Sequence, residues 1–374
     1  MRSSPTVHAM WACLFVFVLF GLAFMILYPE IKRAGVISQY HESRRQRAMV
    51  DHHHKRIVHV PWARLLSSLV PSPNEPYEFR IPFKMYEGVP MVSLHISTQR
   101  RPFIAVADTG SMHLNLSSSS CQWCNKGNGA YKSTPALEAA PSKMLTYGTQ
   151  HDEVKKVHDR IRLHSDSDEI VVPVHVTVKR SKAQSNHNVM GLLTNHKLRR
   201  NKHGLLNHLL GPQNHLFLEF DRGRGHVSGV DARYTEGMRP HAIAKCTRVH
   251  STMGFYIVRV SGIWCGNAQI PSTARYAIID SGSNMTSLSP QTYRACLPHF
   301  VRRAPLVIEF DAQPLVVEPR NYIWHNSKDY MVDDDLGVLR GNTDYIILGA
   351  YCMQGYSFLF SEDEILIFKT ASAF

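Results

Sequence analysis

From Met10 to Tyr28 the chain runs apolar for 19 residues without a charge. Roughly 20 apolar residues cross a bilayer as a helix, so this run predicts a transmembrane segment. It is longer than the ~7–15-residue apolar core of a signal peptide, and bulky Met25-Ile-Leu-Tyr28 stands where small residues would mark cleavage. An uncleaved signal-anchor is the expectation; a cleaved signal with a secreted product is the alternative. From Pro29 to Lys55 the pattern turns polar, and Pro71, Pro73 and Pro76 then punctuate a linker.

Beyond Pro76 the apolar pattern shortens to strand lengths. Met91-Val-Ser-Leu-His-Ile96 alternates as a half-buried strand does, and further strands are predicted within Asp152–Val178 and Pro305–Val317. Leu205–Leu210 and Pro290–Leu297 read as short helices. Long helices are absent and β-branched runs frequent, so the body is predicted to be mainly β. Two apolar runs end alike, in Val106-Ala-Asp108-Thr-Gly-Ser111 and Ile278-Ile-Asp280-Ser-Gly-Ser283, with the aspartates 172 residues apart. Each reads as a buried strand whose Gly permits a tight turn directly after the Asp. A carboxylate at such a place is costly unless something pairs with it. Two such turns facing each other would set two carboxyls in one site, sharing a proton and able to activate water. One such turn is a weak signal; two at domain-scale spacing point to internal duplication.

On these motifs the chain resembles the pepsin-like aspartic proteases from about Pro76 to the C-terminus. Leu145-Thr-Tyr147-Gly148-Thr149 resembles the family's flap, a hairpin that closes over substrate, with Tyr147 as its tyrosine. Val189-Met-Gly191 and Ile346-Ile-Leu-Gly349 resemble the two segments that cross behind the catalytic turns. Gly229–Gly237 resembles the inter-lobe strand, Phe255–Val260 the strand opening the second lobe, and Phe358–Phe368 the closing hairpin. The resemblance implies a bilobal fold: residues 76–237 as the N-terminal lobe and 238–374 as the C-terminal lobe. Ahead of them lie a short cytoplasmic tail (1–9), the anchor (10–28), and a basic tether with a pro-segment (29–75). The pro-segment would begin at Arg56-Ile-Val-His-Val and release the cleft on acidification, making the protein a zymogen.

The resemblance also assigns roles. Asp108 and Asp280 are the catalytic pair. The hydroxyls of Thr109 and Ser281 brace the two turns, Gly110 and Gly282 let the backbone approach closely, and Ser111 and Ser283 bond the outer carboxylate oxygens. Cys121 and Cys124 sit where the family often carries a small disulfide loop. A C-x-x-C is also a redox motif or half a zinc site, but no second C-x-x-C supplies further ligands. Cys246, Cys265, Cys296 and Cys352 allow three pairings, among which the sequence does not choose. No metal or other cofactor is called for. The implied partners are protein or peptide substrates bound as an added strand in the cleft. A type II membrane topology with a luminal or extracellular body follows from the family's habit.

Lys and Arg exceed Asp and Glu by 42 to 30. The excess lies largely in the tether and in 179–202, in polar, loop-like sequence without interleaved aromatics, so no nucleic-acid partner is expected. A monomer is expected. Three positions depart from the family: Asn115 where Trp usually holds the flap tyrosine, Gln150 for the flap-tip Gly, and Ala350 where Asp is common. The first two keep open a catalytically impaired, peptide-binding version of the same fold. The third, by removing a carboxyl near the pair, predicts a working pH less acidic than pepsin's. The sequons at Asn115 and Asn284 follow the catalytic turns closely and are expected to be too buried for glycosylation.

Overall fold

A computed structural model of the chain describes residues 77–370, except 100, 125–126, 148–149, 164–167, 181–186, 194–203, 211–213, 222, 251–253, 312, 322–337 and 341–344. The anchor, tether and pro-segment expectations, Cys13, and flap residues Gly148 and Thr149 lie outside the described residues. Among the described residues no helix is long and apolar enough to cross a membrane.

The body is mainly β, as the short apolar runs predict. The strand Phe103–Asp108 pairs antiparallel with Val89–Ile96 on one side and parallel with Asn188–Gly191 on the other, which sets Asp108 opposite Gly191. The strand Tyr276–Asp280 repeats this arrangement. It pairs antiparallel with Ile257–Arg259 and parallel with Tyr345–Gly349, setting Asp280 opposite Gly349. After each Asp the chain turns and enters a short strand, Leu114–Ser117 or Thr286–Leu288, that passes antiparallel over the same crossing segment. Two half-buried turns of the same plan result, as the duplicated motif suggests.

The two halves of the chain meet in one antiparallel sheet. Its strands run in the order Tyr77–Tyr86, Arg224–Asp231, Asn214–Asp221, Tyr356–Phe360, Glu364–Lys369 and Ala244–Val249. The junction pairs Phe217 and Leu218 with Leu359 and Phe358. Side chains from both halves fill one core cluster that includes Ile81, Leu94, Leu218, Phe220, Ile279, Leu348 and Phe358, each inaccessible to solvent. A separate four-stranded sheet contains Gly262–Cys265, Ala268–Gln269, Leu306–Phe310 and Gln313–Val317.

The helices are short, and some begin at side-chain caps. Ser289 accepts from the Thr292 N–H ahead of Pro290–Val301, and Thr134 accepts from Leu137 ahead of Pro135–Ala139. In both, Pro occupies the first turn, where its missing N–H is not needed. The helix Pro290–Val301 runs four residues past the predicted Leu297, because Phe300 is buried as well. One expectation needs correcting. Within Gly229–Gly237 only the first residues are strand; Asp231 ends the strand and caps a helix, Ala232–Met238, by accepting from the Arg233 N–H. The predicted helix Leu205–Leu210 appears as Leu206–Leu209.

Cys121 and Cys124 are joined by a disulfide. Cys246, Cys265, Cys296 and Cys352 are all buried free thiols, so none of the three pairings forms. Cys265 and Cys296 nevertheless lie in hydrogen-bonding contact.

Candidate active site

The two turns are locked together at Thr109 and Ser281, both inaccessible to solvent. The Thr109 N–H donates to Ser281 Oγ at 3.0 Å, and the Ser281 N–H donates to Thr109 Oγ1 at 2.8 Å. Each hydroxyl then crosses to the strand that carries the other aspartate. Thr109 Oγ1 donates to the Ile279 carbonyl at 2.9 Å, and Ser281 Oγ donates to the Ala107 carbonyl at 2.6 Å. Four reciprocal bonds, two donated by each residue, satisfy the N–H and hydroxyl groups of both, a condition for burying them at all.

This lock brings the carboxyls of Asp108 and Asp280 face to face, within reach of each other. Each glycine faces the opposite acid. A Cβ on Gly110 would stand 2.7 Å from Asp280 Oδ1, and one on Gly282 would run into the Asp108 carboxyl. Only a residue without a side chain lets the turns approach this far. Burial raises the pKa of Asp280 well above the usual carboxylate value; the adjacent Asp108 carboxyl raises it further. Like charges held this close do not both ionise at ordinary pH.

The two acids are supported differently. Asp108 Oδ1 accepts from the Gly110 N–H at 2.7 Å, and its Oδ2 from the Ser111 hydroxyl at 2.5 Å. Asp280 Oδ1 accepts from the N–H groups of Gly282 and Ser283, at 2.9 and 3.3 Å. The Ser283 hydroxyl does not reach the acid, contrary to expectation; it donates to the Met285 carbonyl at 2.8 Å. The backbone N–H of Ser283 instead joins that of Gly282 on the same oxygen, Oδ1.

The hairpin of Ser142–Tyr147 and Gln150–Arg162 has Tyr147 at the end of its first strand, paired with Gln150. Near its tip, where Asp152 pairs with Leu145, lies a buried ion pair that the sequence does not announce. Arg180 meets Asp152 at 3.0 Å, with side-chain exposures of 5% and 0%. The partners are 28 residues apart on neighbouring strands, so only the strand register reveals them. Asn115 is buried and accepts from the Thr177 hydroxyl at 2.8 Å. The Asn115 sequon is thus as buried as expected.

A second unannounced feature flanks the first turn. The rings of His113 and His175 lie 4.1 Å apart. His175 is 2% exposed, and burial first, then the charges of His113, Lys143 and Lys156, push its pKa down to about 3. Parallel pairing sets His175 opposite Asn115, a relation invisible in one-dimensional spacing.

No protein-family model matches the chain, and no curated protein matches it.

Proposed function

We propose that this protein is a pepsin-like aspartic endopeptidase, bilobal and membrane-anchored, that hydrolyses peptide bonds through Asp108, Asp280 and a water held between them. The observation that carries this reading is the pair of facing carboxyls at the meeting point of two reciprocally braced turns. The raised pKa of Asp280 fits a pair that holds one proton in common, so one carboxyl is protonated and polarises the substrate carbonyl while the other is the base. The base accepts a proton from water as the water oxygen bonds to the carbonyl carbon, and the shared proton passes to the carbonyl oxygen. The tetrahedral adduct collapses as the base returns its proton to the peptide nitrogen and the C–N bond breaks. A hydroxyl proton of the adduct goes back to the other carboxylate, and the pair is restored. No covalent enzyme intermediate forms.

The pH dependence follows in sign. Turnover needs one proton on the pair, so activity persists above the ordinary carboxylate range and falls as pH rises through the raised Asp280 value. Ala350, buried behind the second turn, adds no further carboxyl there. The anchor rests on Met10–Tyr28, and entry to the secretory pathway agrees with the Cys121–Cys124 disulfide.

The test is cleavage of a peptide library by the purified protein from pH 3 to 7, with and without pepstatin. Cleavage blocked by pepstatin, and reduced at least about 10³-fold in Asp108→Asn and Asp280→Asn variants of unchanged circular dichroism, is expected. A protein that neither cleaves nor binds pepstatin overturns the reading. One that binds pepstatin and never cleaves is a peptide-binding module.

A further inference from the structure

Tyr256 touches both halves of the site without reaching either acid. It is inaccessible to solvent and directly precedes the strand Ile257–Arg259. Its backbone carbonyl accepts from the Ile279 N–H at 2.9 Å, one residue before Asp280. Its hydroxyl crosses to the other half and donates to the Leu192 carbonyl at 2.9 Å. The Leu192 N–H in turn donates to the Asp108 backbone carbonyl at 2.8 Å.

These bonds close a ring. From Asp108 it runs through Leu192 to the Tyr256 hydroxyl, and from the Tyr256 carbonyl to Ile279. The Ile279 carbonyl accepts from the hydroxyl of Thr109, the residue bonded covalently to Asp108. The aromatic ring has little freedom within this circuit. Phe360 packs against it at a tilt of 38°, with centroids 4.3 Å apart, and the Arg248 guanidinium lies 4.5 Å from its centroid. Arg248 is itself anchored by donating to the Ser361 and Gly254 carbonyls at 3.2 and 2.7 Å. The hydroxyl is therefore fixed in space by groups remote from the acids.

We propose that Tyr256 is a positioning residue: its hydroxyl sets the separation of the Asp108 and Asp280 carboxyls by tying the segment behind the first turn to the strand of the second. For catalysis this rests on the aspartic-protease reading; the spacing itself does not. Without the hydroxyl, the buried Leu192 carbonyl loses its partner, and the first turn is free to drift from the second. The proton bound between the acids is then held less tightly.

The experiment compares full-length wild type with Tyr256→Phe, both carrying ¹³C-labelled aspartate, by carboxyl NMR titration and by pH-rate profile. In the variant the Asp280 titration should move toward the ordinary carboxylate range by at least about 0.5 pH unit, a threefold change in proton affinity. The alkaline limb of kcat should move acidward with it. The value of kcat should fall about 10-fold with KM within about twofold. Tyr356→Phe is the control, since it removes the hydroxyl of another buried tyrosine, one that donates to the Val316 carbonyl at 2.5 Å, outside the ring. It should lower stability and leave the titration unmoved. If Tyr256→Phe does not fold, Arg248→Lys, which loosens the ring from one side, should shift the titration in the same direction by less. A folded Tyr256→Phe that titrates as wild type overturns the proposal, as does an equal shift in Tyr356→Phe. Absence of cleavage and pepstatin binding in wild type defeats the protease reading alone, because the carboxyl titration still decides the positioning.

Discussion

The Asp108 and Asp280 turns share a backbone plan and differ in how each holds its acid. In both, the N–H two residues on caps the carboxyl, and the N–H three residues on closes the turn onto the Asp carbonyl at 3.3 Å. The first turn adds a hydroxyl, Ser111, to Asp108, whereas the second spends the hydroxyl of Ser283 on its own backbone. Duplication therefore fixes where two carboxyls meet. The choice of donors around them makes the pair unequal, and inequality is what lets one acid hold a proton while the other takes one.

The comparison is broken most severely through the glycines. Gly282→Ala places a methyl against the Asp108 carboxyl, so kcat/KM should fall by about 10²-fold or more in peptide cleavage. Gly110→Ala, whose Cβ would lie 2.7 Å from Asp280 Oδ1, should lose less. The reverse order would mean that the turns yield in a way the lock at Thr109 and Ser281 does not allow.

A smaller effect separates the two serines. Ser111→Ala removes a hydrogen bond to an ionisable partner, of a kind that contributes ~1.5–3 kcal/mol, so kcat/KM should drop about 10- to 100-fold. Ser283→Ala leaves the backbone donors of Asp280 in place and should stay within about threefold. Equal losses would erase the asymmetry.

The smallest effect is on stability. His175 and His226 are buried with pKa values pushed down to about 3 from 6.5, chiefly by desolvation. Unfolding lets each bind a proton between those values, so stability is lost as pH falls through that window. Each adds up to about 1.4 kcal/mol per pH unit to the slope. Asp280 acts oppositely: its raised pKa favours the folded state in acid, a contribution lost as pH rises through the folded value. Denaturant titrations of His175→Gln from pH 7 to 4 should show a shallower slope than wild type. An unchanged slope would remove His175 from the acid response.

The turns, the crossing segments and the closing hairpin were legible because each is a short local pattern repeated or ordered along the chain. What was not legible depended on register or rotamer. Arg180 and Asp152 become partners only once two long strands are aligned, and His113 reaches His175 across a parallel pairing. The Ser283 hydroxyl had two acceptors within reach, and its motif is the same whichever it takes. The helix Ala232–Met238 was misread as a continuation of strand. Asp231, a good N-cap residue, was the available stop signal. Tyr256 sat in a segment read only as a strand, since nothing in the sequence marks a tyrosine whose two ends serve different halves.

The sheet that joins the halves has a consequence in time. Two of its inner strands, Tyr356–Phe360 and Glu364–Lys369, are made after every other described strand. While translation continues, Asn214–Asp221 has no neighbour on one edge, and the turns carrying the acids have no shared floor. A growing polypeptide therefore carries both aspartates long before it has a working centre. Only after Lys369 emerges can the two halves close onto one sheet and the acids settle opposite each other.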